Sequence, residues 1–162
     1  MKEPEKNVYK NPQWISVLTT GMLPPCADTG IARQWPIKSP AHQTFSTSDG
    51  VEFVRLAGLQ CAKSLGSYCL LYVYKPDTDG LRKIVANIQM KELDHILFPY
   101  GFLRLHKEHF INLAFLESIT SAEHECKMPY PVIYDNKPYL FNIGDSVYDD
   151  AIDLISLYMK NS

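Results

Sequence analysis

From Phe45 onward, most of this chain consists of short apolar runs separated by turn-forming residues. Two of the runs, 67–74 and 81–88, flank the sequence Pro76-Asp77-Thr78-Asp79-Gly80. Because proline presets φ and glycine accepts positive φ, this sequence predicts a hairpin turn. We expect antiparallel strands over about residues 67–75 and 81–88, and therefore an antiparallel sheet.

Two later stretches show helical spacing. Apolar residues at i, i+3, i+6 and i+7 predict an amphipathic helix over 90–97 that Pro99 ends and that covers one face of the sheet. A second helix is predicted from Tyr148 to Met159, with Ile152, Ile155 and Met159 on its apolar face and three apolar residues adjacent to them: Ala151, Leu154 and Tyr158.

Two short strands, Val132 to Tyr134 and Tyr139 to Phe141, are expected around Asp135-Asn136-Lys137. With the elements above they define a fold that is mostly β with two short helices, of the α+β class. A chain of 162 residues is long enough for one domain with a core.

Proline is concentrated at the start of the chain, where six of the eleven lie within residues 1–44. Because proline removes a backbone donor and fixes φ, long regular elements are excluded there. We expect a Pro-rich extension over 1–44, with Trp14 and Trp35 docking on a domain over 45–162.

The bulk composition limits the compartment and the chemistry. No run approaches the 18 or so apolar residues of a membrane span, and the charged start 1–6 is followed by no apolar signal region. A cytoplasmic protein that makes no membrane contact is the expectation. The four cysteines fit no disulfide framework, so reduced and buried thiols are predicted.

Metal and catalytic motifs are weak or missing. His106, His109, His124 and Cys126 carry ligand atoms that zinc prefers, but their spacing is not that of a zinc site. The sequence contains no Walker loop, Gly-x-Ser-x-Gly or His-Glu-x-x-His. We predict no metal site, no cofactor and no catalytic residues.

The segment 101–113 alternates apolar with basic and polar residues. Read with period 2, Phe102, Leu103 and Leu105 enter a core. Three further residues then project outward at one strand end, where they can hold a polyanion: Arg104, His106 and Lys107.

The same segment resembles the signature of the LytTR family of bacterial DNA-binding domains, through Phe102, Arg104, His106 and Phe110-Ile111-Asn112. Stretches within 48–68 and 131–148 resemble other family elements, in the family order. The resemblance covers roughly Phe45 to the C-terminus and implies LytTR-like antiparallel sheets, with one helix after the first hairpin and one at the end.

The resemblance also implies how DNA is held. Family members send loop residues into successive major grooves, and by position these loops are 63–68, 106–108 and 144–146. Lysine and arginine can neutralise phosphates or reach guanine, and hydroxyls can donate to phosphate oxygens. The expected DNA-binding residues are Lys63, Ser64, Ser67, Tyr68, Arg104, His106, Lys107, Asp145 and Ser146.

Charge departs from the family pattern. Many family members carry an arginine where this chain has Asp145, and Glu108 adds a carboxylate to the middle loop. Residues 1–44 hold five cations and three carboxylates and so have a net charge of +2. Because the net charge of the whole chain is −2, residues 45–162 have a net charge of −4. DNA affinity falls steeply when fewer phosphates are neutralised.

Two functions therefore stay open. One is a stand-alone, cytoplasmic bacterial transcription regulator that binds double-stranded promoter DNA sequence-specifically. In this hypothesis a protein partner supplies the signal, and a homodimer on DNA is left open. The alternative is a non-catalytic protein-interaction module of the same fold that has lost DNA binding.

Overall fold

The computed structural model describes residues 42–161. The Pro-rich extension, the docking of Trp14 and Trp35, and Cys26 lie outside the described residues. Among residues 42–161, no helix has the length and apolar character needed to cross a membrane.

Between residues 42 and 161 the chain forms eleven strands and two α-helices. In chain order they are β1 (His42–Thr47), β2 (Gly50–Arg55), β3 (Leu59–Leu65), β4 (Tyr68–Lys75), β5 (Gly80–Ala86), α1 (Met90–Leu97), β6 (Phe102–His106), β7 (His109–Asn112), β8 (Ser118–Ile119), β9 (Cys126–Lys127), β10 (Ile133–Tyr134), β11 (Lys137–Pro138) and α2 (Tyr148–Asn161).

Five of the strands form an antiparallel sheet in the order β5-β4-β3-β7-β6. The predicted hairpin is confirmed as β4 and β5, which pair from Cys69↔Ala86 to Lys75↔Gly80. In its turn Asp79, and not Gly80, adopts the positive φ of 50°. Aspartate tolerates this conformation better than most residues because its short side chain can bond locally.

Both faces of this sheet are covered, because alternate side chains of each strand enter different cores. Leu71 packs with residues of α1 and of the β1–β2 hairpin, and we call this side the α1 face. Leu70 and Tyr72 pack with α2 and the segments before it, and we call this side the α2 face. The prediction that the first helix covers one face of the sheet is confirmed.

The second predicted helix is present, but its buried stripe differs from the prediction. Met159 is 44% exposed, whereas Ala151, Leu154, Ile155 and Tyr158 are buried. These four have the i, i+3, i+4, i+7 spacing of one helix face. The buried face of this helix is therefore centred on Ala151, Leu154 and Tyr158, which were predicted to lie beside the apolar face.

The last hairpin is shorter than predicted. Its strands are β10 and β11, paired Ile133↔Pro138 and Tyr134↔Lys137. Asp135 and Asn136 both have positive φ, of 55° and 63°. Two such residues make a two-residue turn, so pairing starts at Lys137, and the prediction of a strand over 139–141 is wrong.

The cysteines within 42–161 are free and buried: Cys61, Cys69 and Cys126. Desolvation raises the pKa of Cys69 to about 11 and that of Cys126 to about 12. The predicted burial of the thiols is confirmed for these three.

Asn112 joins two connections of the fold. Its side chain is buried, donates to the carbonyl oxygens of Leu56 (3.3 Å) and Leu59 (3.0 Å), and accepts from the amide of Ala114 (3.0 Å).

We expect Asn112→Ala to lower the free energy of unfolding by about 2 kcal/mol, because buried backbone groups lose their partner. Urea denaturation measures this. Asn87→Ala, at an exposed position, is the control, and equal effects of the two would contradict the assignment.

Candidate functional site

Two turns lie side by side at one end of the main sheet. The β3–β4 turn closes at Leu65↔Tyr68 and the β6–β7 turn closes at His106↔His109. Because β3 pairs with β7, the amide of Ser64 donates to the carbonyl of Glu108 at 2.7 Å. The first and middle predicted loops therefore form one continuous surface.

The third predicted loop reaches the same end. The amide of Gly144 donates to the carbonyl of Leu105 at 3.3 Å, which fixes the start of a short 3-10 turn, Asp145–Val147. Residues from three distant parts of the chain thus meet beside the β6–β7 turn. We call this end of the sheet the three-loop end, made of 64–68, 104–108 and 144–146.

Lys63 lies in a strand and not in an open loop, so the prediction that places it in the first loop is wrong. It is a β3 residue paired with His109 and only 8% exposed. Its Nζ donates to the carbonyl of Ser64 (3.2 Å) and stands 4.3 Å from the ring centroid of Tyr134 and 5.2 Å from that of Tyr139. The aromatic faces attract the ammonium group, and rings from the last hairpin region cover it.

The first loop therefore presents hydroxyl groups where a cation was predicted. Ser67 is exposed, Tyr68 is 44% exposed, and Ser64 is half-buried. Hydroxyls can donate to phosphate oxygens or base edges without adding charge.

The middle loop carries the cations of this end. Lys107 is exposed, and Arg104 is half-buried with its Nη2 donating to the carbonyl of Lys107 at 2.7 Å. Phe102, Leu103 and Leu105 are buried as predicted. Arg104 thus braces the turn that displays Lys107.

A β-bulge sets the position of His106. The register of β6 against β7 shifts between Arg104 and His106, and the His106 ring stacks on His109 with centroids 5.3 Å apart. Bulges commonly re-aim a side chain near the end of a strand. His106 is half-buried, with Nδ1 accepting from the amide of Glu108 at 3.3 Å.

His109 lies beneath the middle loop with both ring nitrogens bonded. Nε2 faces the carbonyl of Asn142 at 2.9 Å, and because a carbonyl only accepts, Nε2 carries the proton. In the neutral ring, Nδ1 then accepts from the hydroxyl of Tyr139 at 2.9 Å. Burial lowers the pKa of His109 to about 4, so the ring is neutral at pH 7.

This network of His109, Tyr139 and Asn142 was not predicted from the sequence. The period-2 pattern that sends Ile111 inward also sends His109 to the same face, and that signal was available. Nothing in the spacing indicated Tyr139 or Asn142, because each lies at least 30 residues further along the chain.

The third loop carries an exposed carboxylate. The Asp145 side chain is 95% exposed, with Oδ1 at 3.2 Å from Nδ1 of His124. The His124 ring stacks on Tyr148 at 3.7 Å between centroids. Ser146 is half-buried, and Glu108 is a second exposed acidic residue at this end.

Metal ligation receives no support in the part of the chain that the structure describes. Residues 42–161 hold no group of three or more histidine, cysteine, aspartate or glutamate side chains placed to bind an ion. His109, one of the weak zinc candidates, uses both ring nitrogens within the fold.

Comparison with known proteins supports the fold through structure alone. No protein-family model and no curated protein matches the sequence. A solved structure described as the LytTr DNA-binding domain of a protein named as a methyl-accepting/DNA response regulator from Bacillus cereus matches with a TM-score of 0.53 and 15% identity, covering 71% of this chain and 96% of that one. The chain therefore has the LytTR fold, and the predicted fold class is confirmed.

Proposed function

We propose that this chain is a sequence-specific DNA-binding transcription regulator. The observation that carries the proposal is the meeting of three loops at one sheet end, with Arg104 and Lys107 on the middle loop. The structural neighbour described as a DNA-binding domain supports it. Loops fixed by a sheet can enter a groove while their cations hold phosphates.

Each group has a chemical role in this proposal. Lys107 contacts phosphate, and Arg104 contacts phosphate or a guanine edge. His106 and Tyr68 contribute hydrogen bonds from the same end, as do the serines: Ser64, Ser67 and Ser146. Lys63 supports the surface from below, since its ammonium group is covered by tyrosine rings.

The regulator acts on promoter DNA in the bacterial cytoplasm, as a stand-alone domain over 45–162 that receives its signal from a partner. The segment 1–44, with a net charge of +2, adds phosphate contacts. A homodimer would double the contacts on a two-fold symmetric site.

The test is fluorescence anisotropy of the purified full chain with labelled fragments of its own upstream region, at two salt concentrations. Sequence-selective binding that weakens steeply with salt is the expected result, because phosphate contacts release counterions. Absence of binding at low salt, with a sample folded by circular dichroism, would refute the proposal.

Truncation of the middle-loop cations should weaken binding. Lys107→Ala should reduce the slope of log affinity against log salt by about one unit. Arg104→Ala should do at least the same and cost more affinity, because it also removes the bond that braces the turn. Lys75→Ala, an exposed lysine at the opposite end of β4, is the matched control. Unchanged binding in both loop variants would show that this surface does not contact DNA.

A second function has an observation in its favour. Lys63 is buried, while Glu108 and Asp145 are exposed at the three-loop end, and carboxylates repel phosphates. A non-catalytic protein-interaction module of the same fold fits this charge pattern. Binding to a protein partner with little salt dependence, and none to DNA, would establish it.

A further inference from the structure

An apolar cleft of about 310 Å³ lies where β9 meets the last hairpin and the chain that follows it. Three of its lining residues, Cys126, Val132 and Phe141, also belong to the core of the α2 face. The other walls are mainly apolar or aromatic, and they include Met128, Tyr130, Pro131, Pro138, Tyr139 and Leu140.

The chemistry of the walls restricts the occupant. Ligand pockets in proteins are mostly apolar and aromatic, with a few polar groups that fix orientation. Here the charged lining groups are Glu125 and Lys127, which pair at 3.3 Å with side chains 17% and 51% exposed. The two charges offset each other, so the cleft presents no net charge to an occupant. The buried thiol of Cys126, with its pKa raised to about 12, is a neutral part of the wall.

The volume also restricts the occupant. Known small-molecule pockets span about 300–1,000 Å³, so this cleft lies at the small end of the range. An α-helix about 10 Å in diameter does not fit into it. A compact aromatic molecule does.

We propose that this cleft binds a small uncharged aromatic molecule, and that its occupancy changes the affinity of the three-loop end for DNA. The evidence for the binding site is the cleft itself, whereas its regulatory effect rests on the proposed function.

The link between the cleft and the three-loop end is a short chain of contacts. Tyr139 lines the cleft, and its hydroxyl donates to Nδ1 of His109 at 2.9 Å. His109 stacks on His106, which belongs to the middle loop. The Lys63 ammonium group stands 5.2 Å from the same Tyr139 ring. A ligand that displaces this ring therefore acts on groups directly below the loops.

The first experiment uses N-phenyl-1-naphthylamine, an uncharged aromatic molecule whose fluorescence rises in apolar sites, with the full chain. Saturable binding of one probe per chain is expected. Met128→Trp, which fills the cleft, should abolish the signal, whereas Met128→Leu should retain it. Leu140→Trp at a more exposed wall position serves if the first variant fails to fold by circular dichroism.

Other sites and occupants give distinct outcomes. Phe53, 70% exposed on the β1–β2 hairpin, is the most accessible large apolar side chain described, and Phe53→Ser should leave the signal unchanged. Loss of the signal in that variant would overturn the cleft assignment. A signal that falls as protein concentration rises would assign the cleft to a second copy of the chain and also overturn it.

The second experiment measures DNA affinity with and without saturating probe. A change of about fivefold or more is expected, within the usual range of coupling between two sites, and it should vanish in the filled variant. Probe binding with unchanged DNA affinity would overturn the regulatory effect. If the chain binds no DNA while the probe still binds, the proposed function fails and the binding site stands.

Discussion

Asp145→Arg is expected to bind the upstream DNA about tenfold more tightly at 0.1 M salt and to steepen the salt slope by about one unit. The native carboxylate is 95% exposed at the three-loop end, so under the proposed function it would repel phosphate where an arginine would pair with it. Anisotropy titrations at several salt concentrations measure both quantities.

The control carries the same change in charge at the other end of the sheet. Asp77 is exposed in the β4–β5 turn, and Asp77→Arg should alter affinity much less. Equal gains in both variants would mean that net charge alone, and not a defined surface, governs binding. No gain in either variant would favour the protein-interaction module.

Acid is expected to destabilise the fold through His109, by about 3 kcal/mol between pH 7 and pH 4. Its pKa is about 4 in the folded chain, against the ordinary histidine value of 6.5. The unfolded chain therefore binds more protons in this window, and the free energy of unfolding falls as pH decreases. This contribution to stability is fully present above pH 6.5 and is lost as pH drops toward 4.

Urea denaturation at a series of pH values tests this prediction against His109→Gln. Glutamine can still donate to the Asn142 carbonyl and accept from Tyr139, but it does not titrate. The variant should lose less stability than the native chain as pH falls from 7 to 4. Parallel pH profiles for the two proteins would contradict a buried neutral histidine.

Local patterns account for what the sequence predicted well. The β4–β5 hairpin depends on five residues between two apolar runs, and α1 on a spacing repeated within eight residues. Both signals lie inside the element that they describe. The three loops of the site were placed by a family resemblance, and the backbone bond between Ser64 and Glu108 shows that two of them are adjacent.

Contacts between distant segments account for what the sequence did not predict. From the sequence alone, Lys63 is expected to be an exposed cation at a strand end. In the fold it is covered by Tyr134 and Tyr139, which lie about 70 residues further along the chain. The α2 stripe was misplaced because both neighbouring faces of that helix are apolar, and packing against the sheet decides between them. The contact between the His124 ring and the Asp145 carboxylate forms only when the fold brings the two residues together.

The strand order has a consequence for the chain during its synthesis. β3, β4 and β5 follow one another and can pair as soon as Ala86 is available, whereas the partner of the second edge of β3 within residues 42–161 is β7. Until residues 109–112 are available, that edge of a largely apolar strand lacks its β7 partner, and open strand edges are templates for pairing with other chains. We therefore expect aggregation to compete with folding most strongly while the α1 and β6 region is being translated.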